Sequence, residues 1–486
     1  MPDIGYTLGQ IRSGPTGPAI AAFFDFDGTI IEGYSALAFY QHRLRNFEIG
    51  PEEATRTMLA TLRGPMDEAR FAEIAELGVR GWAGRAEEDL DELGQRLFVQ
   101  GIAGALFYDA WQLVKAHQRR GHTVVIASSA TRFQVEPMAR ELGVSHVLCT
   151  PLEIENGLCT GRLGGRALWG AGKAEAVRRF AAERDIDLRV SSAYANGEED
   201  VPFLAAVGRP HAVNPGGALA KAAARRNWPV LRFSRSSKRF DPLPLMRTSA
   251  MWSGLFASIG TGITVGLFNR NRRQGIDLAT SLWGQLGAAL GDVKVNVTGA
   301  EHLWAHRPAV FLFNHQSSFM DMLIAFRLLE REFTFVAKKE LANFPVMGPL
   351  FKVADVAFVD RADRAKAIEA LDSVTEKLRS GISVAISPEG TRSVTPSVGR
   401  FKKGGFRMAM AAGVPIVPVV VRNSGELMWR DSQIAHSGTV DVVVHPPIDV
   451  SGWTVDELDK RVAEVRALFV DTLEEWPESA TDDEES

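Results

Sequence analysis

Cysteine is scarce in this chain: there are two in 486 residues, Cys149 and Cys159. So few thiols exclude a disulfide framework, and neither has metal-ligand neighbours in sequence, so both read as reduced structural residues. An excess of positive charge is missing as well. Fifty-five Lys and Arg against 59 Asp and Glu leave a formal net charge of −4, which excludes a globally basic nucleic-acid binder. The stretch MPDIGYTLGQIRSGPTGPAI lacks a basic start followed by an apolar core, so it is not a secretion signal and a cytoplasmic chain is expected. Extreme polarity is also absent. At 45% hydrophobic and 23% charged the chain is globular in composition, and its length calls for two or three domains.

What the chain does have is apolar strands that stop at polar turns. AIAAFFDFDGTI reads as a buried strand that ends abruptly in a polar turn with glycine. Asp25 and Asp27, two apart at a strand end, project to one side, and Gly28 and Thr29 turn the chain sharply. Paired carboxylates repel unless something compensates them, and a hard divalent cation is the usual solution. HTVVIASSATRF is a second strand, expected to end at Ser128. Lys173 follows in GAGKAEAV, and SSAYANGEEDVPFL carries Asn196 and Asp200.

These four stretches, in this order, resemble the motifs of the haloacid dehalogenase superfamily of phosphotransferases. The resemblance implies a Rossmann-like α/β domain in which Asp25 attacks phosphorus and Asp27 serves as acid and base. It also implies that Ser128 and Lys173 hold the phosphoryl oxygens and that Mg²⁺ is bound by Asp25, the Asp27 carbonyl, Asn196 and Asp200. The helix formers between Asp27 and Ser128 (PEEATRTMLATL, DEARFAEIAELG, AEEDLDELGQRLF) look like the helical cap of the phosphoserine-phosphatase branch, over roughly residues 33–110. One position departs from that branch, which has Asp where this chain has Asn196. An amide oxygen ligates without supplying charge, so cation affinity is expected to fall. An active phosphatase and a folded domain with weak turnover both fit this pattern.

From Arg225 to Arg247 the chain carries seven basic residues and one acid, and from Thr248 to Asn269 it carries no charge. As a helix, the uncharged stretch would span roughly 33 Å, enough to cross a bilayer. Ala250, Gly254, Ser258, Gly262 and Gly266 fall four apart, a ridge of small residues that lets another helix approach closely. IDLATSLWGQLGAALG follows a basic turn. Gly284 and Ala288 are expected to face the ridge, with Trp252 and Trp283 as interfacial anchors at the outer ends. The reading is a helical hairpin in one leaflet, drawn by its basic linker to anionic lipids. A packed soluble helix pair or dimer interface, and a true span, are the alternatives.

FLFNHQSSFMD, residues 311–321, puts His315 at the end of an apolar run and Asp321 in the first turns of a helix expected to begin near Ser318. FVAKKELANFPVMGPL, DVAFVDR, ISPEGTRS and VPIVPV follow in that order. Together these stretches resemble the blocks of the glycerolipid acyltransferases, which include the lysophosphatidic acid acyltransferases, over roughly residues 290–450. The resemblance implies an α/β domain that moves an acyl group from acyl-CoA or acyl carrier protein to a lysophospholipid. His315 would take the proton of the acceptor hydroxyl, while Asp321 fixes its tautomer and steadies the imidazolium. Arg361 and Arg392 would hold the acceptor phosphate with help from Lys338, and Glu389, Gly390 and Thr391 would shape the loop. Five residues separate His315 from Asp321, one more than the family's pattern. In a regular helix the extra residue turns the carboxylate by about 100°.

The expected organisation is a flexible leader over residues 1–18, a haloacid dehalogenase-like phosphatase domain over 19–240, a basic linker and membrane-associated hairpin over 241–291, an acyltransferase domain over 292–470 and an acidic tail over 471–486. Such a chain would be a bifunctional enzyme of phospholipid biosynthesis on the cytoplasmic face of the cell membrane. It would make phosphatidate from 1-acylglycerol-3-phosphate and hydrolyse a phosphomonoester. Nucleic acid is not among its expected partners; a second copy packed through the Gly254–Gly266 helix is. The alternatives are an inactive or regulatory first domain, or a phosphatase for a soluble ester such as phosphoserine.

Overall fold

The apolar run that ends at Phe24 becomes β1 (Ala21–Phe24), a central strand of a six-stranded sheet in the computed structural model of the chain. The structure describes residues 4–50, 67–233, 242–343, 348, 351, 356–359, 364–430 and 432–477. Two compact units divide the chain, Met1–Arg235 and Ser236–Ser486.

In the first unit α1 (Ile4–Ser13) precedes β1. Then come α2 (Ser35–Arg45), α3 (Glu68–Arg80), α4 (Glu87–Leu97), α5 (Tyr108–Arg119), β2 (Thr123–Thr131), α6 (Arg132–Leu142), β3 (His146–Thr150), β4 (Leu152–Glu155) and β5 (Leu158–Leu163). The unit ends with α7 (Ala171–Glu183), β6 (Ser192–Ala195), α8 (Val201–Leu204), β7 (Arg209–Val213), α9 (Gly217–Arg226) and β8 (Val230–Leu231). The sheet order is β3-β2-β1-β6-β7-β8, parallel throughout. Strands covered on both faces are apolar without alternation, and all four residues of β1 are buried. Because the strands share a direction, the loops after β1, β2 and β6 leave from one edge, where ligands bind in open α/β sheets.

Three expectations for this unit are corrected. Within the leader expected to be flexible over residues 1–18, Ile4–Ser13 form α1, which turns Thr7, Leu8 and Ile11 inward. The strand expected to stop at Ser128 continues to Thr131, where Thr131 and Gln134 form a capping box that starts α6. The cap is not helical alone. The antiparallel β4–β5 hairpin, well downstream of residue 110, joins it through a bond from Gly84 N to the Cys159 carbonyl (2.8 Å) and a bridge between Ala86 and Leu158.

The second unit begins with α10 (Pro242–Phe268) and α11 (Arg272–Gly291). There follow β9 (Val293–Thr298), β10 (Val310–Phe313), α12 (Ser318–Leu329), β11 (Phe333–Lys338), β12 (Ala357–Val359), α13 (Arg364–Arg379), β13 (Ser383–Ile386), α14 (Gly404–Ala412), β14 (Ile416–Val421), α15 (Ser424–Leu427), β15 (Gly438–Val444) and α16 (Leu458–Glu474). The sheet order is β12-β11-β13-β10-β14-β15-β9, with β14 and β15 antiparallel and the other pairs parallel. The tail expected from residue 471 starts inside α16, which buries Phe469, Thr472 and Leu473 and runs to Glu474.

Helices α10 and α11 form the expected hairpin, with Asn271 capping α11 by accepting from Gln274 N at 3.1 Å. The ridge of small residues packs within the chain. A Cβ added at Gly262 would stand 2.4 Å from the Gly275 carbonyl oxygen and 2.7 Å from Ala279 Cβ, so Gly275 and Ala279 are the facing groove. Gly284 faces elsewhere: its Cβ would stand 2.7 Å from the Phe326 carbonyl carbon of α12. The ridge is filled by α11. Trp283 is not an interfacial anchor, and Trp252 is half-buried against the core. Trp283 is fully buried edge-on to Phe319 and Phe326, Trp252 lies 4.5 Å from Phe319, and Met251, Leu255 and Trp283 belong to the core of this unit. The opposite face of α10 is open, exposing Phe256, Ile263, Leu267 and Phe268. By length and composition α10 could cross a membrane, and 28% of its most apolar window is buried.

Candidate active sites

At the loop edge of the first sheet, β1 delivers Asp25, whose N–H donates to the Tyr194 carbonyl of β6 at 2.9 Å. Lys173, in the first turn of α7, donates from Nζ to Asp25 Oδ1 (2.8 Å) and Asp200 Oδ1 (2.7 Å), and all three side chains are buried. Two carboxylates share one ammonium there, leaving net negative charge in a dry pocket. The Asp25 carboxyl is therefore raised to about 7, chiefly by burial, with Lys173 pulling it back. Burial works against the charge of Lys173 as well, but the two carboxylates overcome it and hold the ammonium above the ordinary lysine range. Asp27 accepts from Ser35 N (2.7 Å) and Ser35 Oγ (3.2 Å) at the start of α2; burial raises it to about 6 against those bonds. Its carboxyl is thus poised near neutrality to give and take a proton. Ser128 reaches the same edge through the register of Phe24 on Ile126, and its Oγ accepts from Ala130 N at 3.1 Å.

The oxygens around Asn196 are those a hard cation would use. Its Oδ1 accepts from Thr29 Oγ1 at 3.1 Å, and with the amide turned over its nitrogen would donate to the Asp27 carbonyl (2.9 Å) and Asp25 Oδ2 (3.2 Å). Asp200 Oδ2 is buried with no hydrogen-bond partner. Asp25, the Asp27 carbonyl, Asn196 Oδ1 and Asp200 thus make an oxygen-only set that fits Mg²⁺. Among the described residues no three His, Cys, Asp or Glu side chains gather for a metal, since two of these donors are an amide and a backbone carbonyl. Gly28, at φ +76°, is needed here: a Cβ would stand 2.1 Å from the Asn196 amide.

In the second unit β10 ends at Phe313 and α12 begins at Ser318, so His315 lies outside the helix and the extra residue is absorbed before the helix starts. His315 Nδ1 is 2.7 Å from Asp321 Oδ2, which also accepts from Gln316 N and Ser317 N at 2.9 Å. With that oxygen as acceptor, the ring carries its proton on Nδ1 and presents Nε2 as a base. Glu389 serves the same loop. Its Oε1 accepts from His315 N (2.9 Å) and its Oε2 from Ser393 Oγ (2.8 Å) and Gly399 N (2.7 Å); burial raises its carboxyl against these bonds. Gly390, at φ +72°, lies under the Lys402 side chain, where a Cβ would stand 2.9 Å from Nζ. Thr391 is exposed, and Arg392 donates to the Arg430 carbonyl. Arg361 and the side chain of Lys338 lie outside the described residues.

Two contributors carried no signal in sequence. Ser35 and Ser424 are ordinary serines at helix starts, one eight residues and the other 103 residues along the chain from the aspartates they bond. A groove of about 600 Å³ also opens in the second unit, lined by Leu255, Ile259, Ile263, Ile276, Phe326 and Phe335 among others.

A lysine-bridged pair of buried carboxylates beside a proton-poised aspartate is an arrangement for phosphoryl transfer, and an Asp-oriented histidine is a general base. Comparison with known proteins agrees for each half. The haloacid dehalogenase-like hydrolase family model matches residues 22–205, and the acyltransferase family model matches residues 294–422. An inhibition of morphological differentiation protein of Streptomyces azureus is 34% identical over 234 residues, 47% of this chain and 83% of that protein. A probable phosphatase of Mycobacterium tuberculosis is 31% identical over 258 residues, 51% of this chain and 89% of that protein. A chloroplastic 1-acyl-sn-glycerol-3-phosphate acyltransferase of Arabidopsis thaliana is 31% identical over 241 residues, 46% of this chain and 67% of that protein. The chain belongs to the haloacid dehalogenase-like hydrolases in its first half and to the acyltransferases in its second.

Proposed function

We propose that the second unit transfers an acyl group from acyl-CoA or acyl carrier protein to 1-acylglycerol-3-phosphate, giving phosphatidate, and that the first is a Mg²⁺-dependent phosphomonoesterase. The His315–Asp321 bond is the observation that carries the first half of this reading. The acceptor hydroxyl attacks the thioester carbonyl as its proton passes to His315 Nε2. The C–S bond then breaks, and the departing sulfur takes the proton as a thiol. Arg392 and Arg361 would hold the acceptor phosphate, and the apolar groove has room for an acyl chain. In the first unit the Asp25 carboxylate attacks phosphorus while Asp27 protonates the leaving alkoxide. Water then hydrolyses the phospho-aspartate as Asp27 takes back a proton. A divalent cation held by Asp25, Asp27, Asn196 and Asp200 would neutralise phosphoryl charge.

The exposed apolar face of α10 supports a hairpin seated in the cytoplasmic leaflet. In sequence, the two reactions yield a neutral diacylglycerol. A second reading, a first domain with little turnover, is favoured by Asn196, which contributes no charge to the cation set.

Lipid product analysis with acyl-CoA, lysophosphatidate and Mg²⁺ tests both readings. The native enzyme is expected to give diacylglycerol. Asp25→Ala should stop at phosphatidate, and His315→Ala should lose acylation by at least about 10²-fold. If native protein and Asp25→Ala both stop at phosphatidate, the first domain does not act on this lipid.

A further inference from the structure

Asp321 is itself held from behind. Its Oδ2 serves His315, Gln316 and Ser317, while its other oxygen, Oδ1, accepts from Ser424 Oγ. Ser424 is completely buried, at 0% exposure, and opens α15 directly after β14. Its hydroxyl is spent on the carboxylate, so it is neither a nucleophile nor a substrate contact.

The segment that carries it is fixed on both sides. Asn314, next to His315, exchanges two bonds of 2.7 Å with the Val421 backbone. Gln316 donates to the Arg422 carbonyl (3.1 Å) and accepts from Gly425 N (3.3 Å). Asn423 ties the other side to β15 through the Thr439 carbonyl (2.9 Å) and Asp441 N (3.2 Å). This clamping costs several side chains and leads to one bond, from Ser424 to Asp321.

We propose that Ser424 is a positioning residue, the third member of a Ser424–Asp321–His315 row. Its hydroxyl gives the carboxylate a fourth donor and fixes its plane, so that Oδ2 meets Nδ1 squarely. Without it, Oδ1 is a buried charged oxygen with no donor, which disfavours the charged and correctly rotated carboxylate. The base then loses both its tautomer lock and its counter-charge. The inference rests on the acyl-transfer reading of this site.

The test is a double-mutant cycle in the full chain: native, Ser424→Ala, Asp321→Asn and the double variant, with Ser424→Thr as the conservative replacement. Acyl transfer in Ser424→Ala is expected to fall about 10–100-fold in kcat, with KM for both substrates within about two-fold, and Ser424→Thr should recover most of it. In the Asp321→Asn background the same change should cost nothing further, because the residue acts only through Asp321. A merely structural serine would lower activity by the same factor in both backgrounds, and that result, or an undiminished kcat in Ser424→Ala, overturns the proposal.

The His315 Nδ1–H resonance, followed by NMR in the four proteins, separates this inference from the reading it rests on. The resonance should shift and exchange faster in Ser424→Ala, with no additional effect in the Asp321→Asn background. That result supports the positioning role even if no acyl transfer is found, whereas equal perturbation in both backgrounds refutes it.

Discussion

Asp25 shows what one buried carboxylate does to the stability of its fold. With its carboxyl raised to about 7 from 3.8, the folded protein holds a proton between about pH 4 and 7 that the unfolded chain has released. Proton binding by the native state favours folding in that window, and the benefit is lost as the pH rises through about 7. Asp25→Asn abolishes this titration and leaves Lys173 paired with Asp200. With a chelator present, the variant should be more stable than the native protein at pH 8 by on the order of 2–4 kcal/mol, the difference narrowing as the pH falls below 7 and closing only near pH 4. Calorimetry of both proteins across that range checks it. A difference that stays constant with pH would mean that burial of the charge is not the cause.

At the scale of elements, the hairpin offers a contrast between two glycines on one helix. Gly262 lies against the backbone of α11, whereas nothing lies within 4 Å of the position a Cβ would take at Gly260. Gly262→Val should destabilise the second unit by about 1–3 kcal/mol through overpacking, and Gly260→Val should change it little. Thermal unfolding of the two variants decides whether the close contact holds the pair together.

The same helices show how far a sequence can be read. The four-residue spacing through Gly254 and Gly262 made the ridge legible. Which face of α11 meets it was not, because Gly275 and Ala279 on one side and Gly284 and Ala288 on another look alike. The choice is made by α12, whose Phe326 backbone takes Gly284. Motif residues of the first site were legible because Asp25, Lys173, Asn196 and Asp200 each stand at a strand or helix end. Ser35 was not, since it is an ordinary serine folded back on Asp27 by the loop between them, and Ser424 was not, since its partner is set by tertiary packing. The α1 helix was missed because IGYTLGQIRS has two glycines and is held by burial rather than by propensity.

For the whole molecule, two compact units predict two separable proteins. Residues 1–235 and 236–486 expressed apart should each unfold cooperatively, and vesicles containing anionic lipid should sediment the second and leave the first in solution. Co-sedimentation of both pieces, or of neither, would break the assignment of membrane contact to the hairpin.

The second sheet has a further consequence, in the order of synthesis. Its first strand, β9, is hydrogen-bonded to its last, β15. A ribosome releases residues from the N-terminus, so the first unit has all its strands once Leu231 has emerged, while the second cannot close until Val444 follows. During that interval α10 and α11 are outside the ribosome before the α12 residues that cover their inner face. The apolar hairpin is therefore made first, and the histidine and aspartate come together only after it.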